Sequence, residues 1–216
     1  MKYLVFLGSI RDSAPPRPKR LGLRVARALT AHLRSDTNDI TLVDPLALNL
    51  EVPFKPHFAY AQGKAPQGLE DLAAEIEMAD GYVMVSPEYN HSMSPALADL
   101  LNHFGSSLFS YKPSVIVSYS AGQWGGTRAA VNMRTFLSEL GCLPISAMIH
   151  VPKAHEVFDE NGHFLDSVNA SDWTSYIGRA LSQFEWWAAA AAHGRKELDV
   201  DRPDAFVEDP SERNAP

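Results

Sequence analysis

Tyr82-Val83-Met84-Val85 runs directly into Ser86-Pro87-Glu88-Tyr89-Asn90, and Ser94-Pro95 follows. The four apolar residues have the composition of a buried strand. Ser94 is a good helix N-cap and Pro95 suits the first helical position. The segment therefore reads strand, polar turn, helix. A polar turn at the carboxyl end of a buried strand is where open α/β sheets bind ligands. The residue types in this turn suit a flat, polar heterocycle. Pro87 fixes a φ angle and lacks an N–H, Tyr89 offers a ring face, and Asn90 with the backbone offers donors and acceptors for ring edges. Pro-Glu-Tyr-Asn is an uncommon order by chance, so a functional reading outweighs that of an ordinary turn. Glu88 could act as a general base, but no paired acid, histidine or metal motif stands beside it in a recognisable spacing.

Outward from this turn, strand and helix signals alternate. Residues 2–7 and Ile40-Thr41-Leu42-Val43 read as strands before it, Ser114-Val115-Ile116-Val117-Ser118 and Leu143 to Ile149 as strands after it. Leu21, Val25, Leu29 and Leu33 have helical spacing, and a second amphipathic helix is expected from Leu69 to Ala79. The helix opened by Ser94 continues through Leu97, Leu100, Leu101 and Phe104, and another is expected from about Thr127 to Leu140. Asp172 is expected to cap a last helix over about 173–193, with Trp186 and Trp187 packing in the core or at a subunit interface. Residues 46–68, rich in proline and glycine, read as a long irregular connection. Five strands with intervening helices imply a parallel sheet covered on both faces. Several doubly wound strand orders fit that pattern. Residues 1–198 are expected to form one domain, and 199–216, polar and proline-bearing, a disordered tail.

Composition narrows the function classes. The 216 residues are 45% hydrophobic and 21% charged, ordinary for one globular domain with a sizeable core. A formal net charge of -7 argues against general nucleic-acid binding. No apolar run approaches the ~20 residues that span a bilayer, and the amino terminus lacks the pattern of a signal peptide. The single cysteine, Cys142, excludes an intrachain disulfide and is expected to be buried. A cytoplasmic location is the expectation. The histidines show no HExxH-like zinc spacing, and no GxSxG elbow points to a hydrolase.

Two further loops follow strand ends, and in a doubly wound sheet they share one edge with the turn at 86–90. The first is Gly8-Ser9-Ile10-Arg11-Asp12-Ser13, continuing to Arg17, Lys19 and Arg20. Hydroxyls, guanidinium groups and a helix N-terminus together suit a phosphate. The loop has neither the Walker pattern nor GxGxxG, which argues against a nucleoside triphosphate site or a dinucleotide-binding fold of the GxGxxG type. The other is Ser120-Ala121-Gly122-Gln123-Trp124-Gly125-Gly126, whose glycines allow a backbone to approach a ligand closely.

Taken together, Gly8-Ser9-x-Arg11, Ser-Pro-Glu-Tyr-Asn and the glycine-rich loop resemble the NADPH-dependent FMN reductase family, which includes quinone, azo-compound and chromate reductases. The likeness covers roughly residues 2–150. It implies a flavodoxin-like α/β fold with five parallel strands in the order 2-1-3-4-5, non-covalent FMN, NADPH or NADH as reductant, and a homodimer or homotetramer. Carried over by position, Ser9, Arg11 and the residues opening the first helix hold the FMN phosphate, with Arg17, Lys19 and Arg20 each a candidate cationic partner. Pro87, Glu88, Tyr89 and Asn90 line the isoalloxazine. Ser120, Ala121, Gly122 and Gly125 border its other side. Two departures stand out: a longer, proline-rich first loop, and Gln123-Trp124 where small residues are more usual.

The implied function is an FMN-dependent NAD(P)H oxidoreductase serving a quinone, azo compound, flavin or similar small-molecule acceptor. The flavin carries the chemistry, so no catalytic side chain is expected. The alternative is a flavodoxin-like FMN-binding sensor or electron carrier. Such carriers usually have a Ser/Thr-rich first loop and a strongly acidic face, whereas the first loop here is basic and the net charge moderate.

Overall fold

The computed structural model describes residues 1–11, 20–48, 50, 53–208 and 210. Five parallel strands, β1 (Lys2–Leu7), β2 (Asp39–Val43), β3 (Gly81–Pro87), β4 (Pro113–Tyr119) and β5 (Leu143–Val151), form one sheet in the order 2-1-3-4-5. This is the order that the family resemblance implied.

Strand alternation decides how the sheet is covered. Side chains point to opposite faces with a period of two. Tyr3, Val5, Leu7, Val83, Val85, Val115 and Val117 pack on one face, with the apolar stripes of α1 (Leu21–Leu33) and α6 (Ala170–Glu197). Leu4, Phe6, Tyr82, Met84 and Ile116 pack on the other, with α2 (Gln67–Met78), α3 (Pro95–Asn102) and α4 (Thr127–Glu139). Central strands buried on both faces explain the near-continuous apolar runs of β1, β3 and β4. Each fully buried Leu, Val or Phe stabilises the fold by ~1.5–3 kcal/mol.

The remaining helices are the short α5 (Ala154–Val157) and α7 (Asp204–Val207). Within the segment expected to lack structure, α7 sets Phe206 against Tyr111, with ring centres 6.3 Å apart. One expectation needs correction, and another, which placed Trp186 and Trp187 in the core or at a subunit interface, loses its first alternative. The cap of α6 is Asn169, whose side chain accepts from the Ser171 and Asp172 amides, and the helix runs 28 residues. Asp172 instead receives a bond from Asn169 Nδ2. Trp186 and Trp187 do not belong to the core; they meet edge to face at 4.8 Å, and Trp186 is 63% exposed. Cys142 is buried, as expected. Among the described residues, no helix is long and apolar enough to cross a membrane.

Candidate functional site

Register brings three strand ends to one level. Leu7 of β1 lies beside Val85 of β3, and Pro87 of β3 beside Tyr119 of β4, which pairs with Val151 of β5. The loops leaving these ends enclose a cleft of about 890 Å³ lined by Gly8, Ser9, Arg11, Arg20, Pro87–Tyr89, Tyr119, Ser120 and Ala121, among others. Clefts of ~300–1,000 Å³ suit drug- or cofactor-sized ligands.

Ser94 joins the first two loops. Its hydroxyl donates to Gly8 O at 2.6 Å and accepts from Leu97 N at 3.1 Å, capping α3. Its own amide donates to Ser86 Oγ. Gly8 N donates to Val85 O at 2.7 Å. A Cβ on Gly8 would stand 2.7 Å from Val85 O and 2.9 Å from Leu97 Cβ, so only glycine fits this crossing.

Beyond Pro87, Tyr89 and Ser92 exchange two backbone bonds of 2.9 Å. The intervening Asn90 (φ 50°) and His91 (φ 64°) both have positive φ, as in a two-residue type I′ hairpin turn. Asparagine tolerates this conformation better than most residues. The turn thus presents Pro87, Glu88 and Tyr89 to the cleft and carries Asn90 to its tip, outside the lining residues. Glu88 is only 16% exposed in its side chain, and its Oε2 is buried with no partner among the described residues.

The loop after β4 is held largely by its own bonds. Ser120 Oγ donates to Gly122 O and accepts from Gly125 N, so this hydroxyl is already engaged. Ser118 Oγ donates to Gly125 O at 2.7 Å and lies 2.8 Å from His150 Nδ1. Since the serine proton goes to the carbonyl, the His150 proton sits on Nδ1. Burial pushes the His150 pKa down. Gly125 has φ 61°, and its backbone passes close to His150 and Pro152. Ser120 and Ala121 line the cleft, whereas Gly122 and Gly125 shape the loop behind it.

At the other end, Ser9 is buried beside Tyr119, whose hydroxyl burial pushes up to about 12. That group stays protonated at neutral pH. Arg20 lines the cleft but donates to both carboxylate oxygens of Asp44, at 2.6 and 2.8 Å. Burial opposes ionisation of Asp44, but Arg20 and the Leu46 amide outweigh it and hold the carboxyl below its ordinary range. The Arg20 Nε is buried without a partner among the described residues. Arg11 lines the cleft and is exposed. Arg17, Ser13 and Lys19 lie outside the described residues.

The chain matches the NADPH-dependent FMN reductase family over residues 1–156. It belongs to that family. An NAD(P)H-dependent FMN reductase of Pseudomonas aeruginosa is 31% identical over 119 residues, which are 53% of this chain and 64% of that one. An NADPH azoreductase of a Bacillus species is 33% identical over 135 residues, 62% of this chain and 71% of its own. A quinone reductase of Escherichia coli is 37% identical over 75 residues, 33% of this chain and 40% of its own. The chain thus spans less than two thirds of the first and third of these relatives. Among solved structures, a flavoenzyme NAD(P)H:(acceptor) oxidoreductase from Paracoccus denitrificans superposes with a TM-score of 0.64 at 16% identity, covering 87% of this chain and 97% of that one. At that identity the likeness speaks to the fold alone.

Fitness for the family's flavin can be judged from the orphaned groups. The cleft has the right size, a flat apolar and aromatic wall at Pro87 and Tyr89, the exposed Arg11 in its lining, and, among the described residues, an unpaired acceptor at Glu88 Oε2 and an unpaired donor at Arg20 Nε. These fit a molecule with a ring and a phosphate. Residue-type reasoning missed Tyr119, Ser94, Pro95 and Ala96 as lining residues. The signal for Tyr119 was its place at a strand end level with Pro87, which only the register reveals.

Proposed function

We propose that this protein is an FMN-dependent NAD(P)H oxidoreductase, with FMN in the cleft between the three loops and a quinone, azo compound, flavin or similar small molecule as electron acceptor. The observation that carries this reading is the union, at one sheet edge, of the Pro87–Tyr89 wall with Ser9, Arg11 and the start of α1 in a single cleft. Bound FMN would supply two-electron chemistry between a reduced nicotinamide and the acceptor. The chain's own residues bind and orient. Ser9, Arg11 and the residues that open α1 hold the phosphate, with Arg20 Nε as a further donor. Pro87 and Tyr89 pack on the ring, and Glu88 Oε2 accepts from a ring N–H. Backbone at 120–121 borders the far edge. Asn90, Gly122 and Gly125 act by shaping the turn and loop, and Arg17 remains a candidate for the phosphate.

The protein is further proposed to be cytoplasmic and to work as a homodimer or homotetramer. The exposed Trp186, edge to face with Trp187 on α6, is apolar surface that a second copy would cover. Steady-state oxidation of NADPH with a quinone tests the enzyme reading. Turnover that requires FMN and saturates with both substrates supports it. Tight FMN binding with negligible turnover would favour an electron carrier instead.

A further inference from the structure

Just outside the cleft, the chain carries an aromatic–cation pair that the flavin reading leaves without a role. The Trp124 indole is 62% exposed, and the Arg128 guanidinium lies 5.7 Å from its ring centre. Arg128 also approaches the cleft wall. Its Nη1 stands 3.7 Å from Glu88 Oε1, too far for a direct hydrogen bond. His91 Nε2 is 4.0 Å from the same oxygen.

This corner is built on a fixed frame. Arg128 and Asn132 share a face of α4, four residues apart. Asn132 Oδ1 accepts from Ser92 Oγ at 2.9 Å, which ties the type I′ turn to the helix. Gly126, with φ 74°, starts the helix against Ser118 and Tyr119. The backbone of Arg128 is therefore held close to the wall formed by Pro87, Glu88 and Tyr89, with its side chain half exposed. The ligand chemistry that matches such a pair is a flat aromatic ring bearing a nearby anionic group. Bases stack on aromatic side chains, and guanidinium groups pair with phosphates.

We propose that Trp124 and Arg128 grip the adenosine-phosphate end of the reduced nicotinamide dinucleotide, the adenine on the indole and a phosphate on the guanidinium. The inference rests on the proposed use of the cleft for a flavin that a nicotinamide reduces. It gives a purpose to the exposed Trp124 indole beside the cleft. An anionic aromatic acceptor would present the same chemistry, and the test separates the two.

The full-length protein is titrated calorimetrically with adenosine 2′,5′-bisphosphate and, separately, with naphthalene-2-sulfonate. Trp124→Ala and Arg128→Ala are each expected to weaken the bisphosphate by about tenfold, with Trp124→Phe retaining most of the affinity. The KM for NADPH of the FMN-loaded variants should rise by a similar factor, with a smaller change in kcat. FMN affinity is measured on the same variants. If the wild-type protein takes up no FMN, the flavin reading fails, yet the bisphosphate titration still reports on the pair. Bisphosphate affinity within about twofold of wild type in both alanine variants would overturn the proposal. A loss confined to the sulfonate, or an equal loss of FMN affinity, would overturn it as well.

Discussion

At the first-loop end of the cleft Arg20 donates to both carboxylate oxygens of Asp44, whereas at the turn end Glu88 keeps one buried oxygen without a partner among the described residues and stands 3.7 Å from Arg128. Both ends contain a carboxylate and an arginine. In one the pair is closed and half-buried; in the other it is open at the rim. A closed pair supports structure, because its charge is already matched. An open pair beside a cleft keeps donors and acceptors for a ligand. The presence of an arginine in a loop thus says little about phosphate binding until its partner is known.

The largest effect is expected at the point that both ends share. Gly8→Ala would drive a Cβ into Val85 O and Leu97 Cβ, and is expected to destabilise the protein by ~2–4 kcal/mol in urea unfolding. A loss below ~1 kcal/mol would mean that the crossing of β1 and α3 can relax. Next comes the open end. Tyr89→Ala is expected to weaken FMN by ~10–100-fold on titration of the apoprotein, and unchanged affinity would count against the ring's placement on that wall.

The closed end should respond through stability. Asp44→Asn is expected to cost about 1–2 kcal/mol at neutral pH. Because the folded carboxyl ionises below 3.8, its stabilisation is present above that pH and fades as pH falls through the lower folded value. The difference in Tm between wild type and Asp44→Asn should therefore persist to pH 3.8 and close only in stronger acid. A difference that vanished nearer neutrality would break the contrast between the two ends. The smallest effect belongs to the loop at 120–126. Burial holds His150 below 6.5, so the unfolded chain binds protons first as pH drops from 6.5. Stability should decline over that window by a few tenths of a kcal/mol to about 1 kcal/mol, and His150→Gln should remove the dependence in thermal melts.

Local chemistry was readable in the residue order. Pro87, Tyr89 and the Ser94-Pro95 helix start depend on neighbours within a few positions, and apolar runs of β1, β3 and β4 announced strands buried on both faces. Partners distant in sequence were not readable. Nothing in the order of residues shows that the Ser94 hydroxyl reaches Gly8, 86 positions away. Nor does it show that Asp44 closes on Arg20 or that Tyr119 stands level with Pro87. Asn90 has the residue type for a ligand contact and also the one best suited to positive φ, and the turn uses the second property. The cap of α6 slipped from Asp172 to Asn169 because both are good caps three residues apart.

The most direct test is the absorption spectrum of the purified protein with FMN, recorded anaerobically before and after NADPH. Flavin bands that stay with the protein through gel filtration and bleach on adding NADPH are the expected result. A protein that retains no FMN, or whose bound flavin keeps its bands in excess NADPH, would contradict the assignment of this cleft to flavin reduction by a nicotinamide.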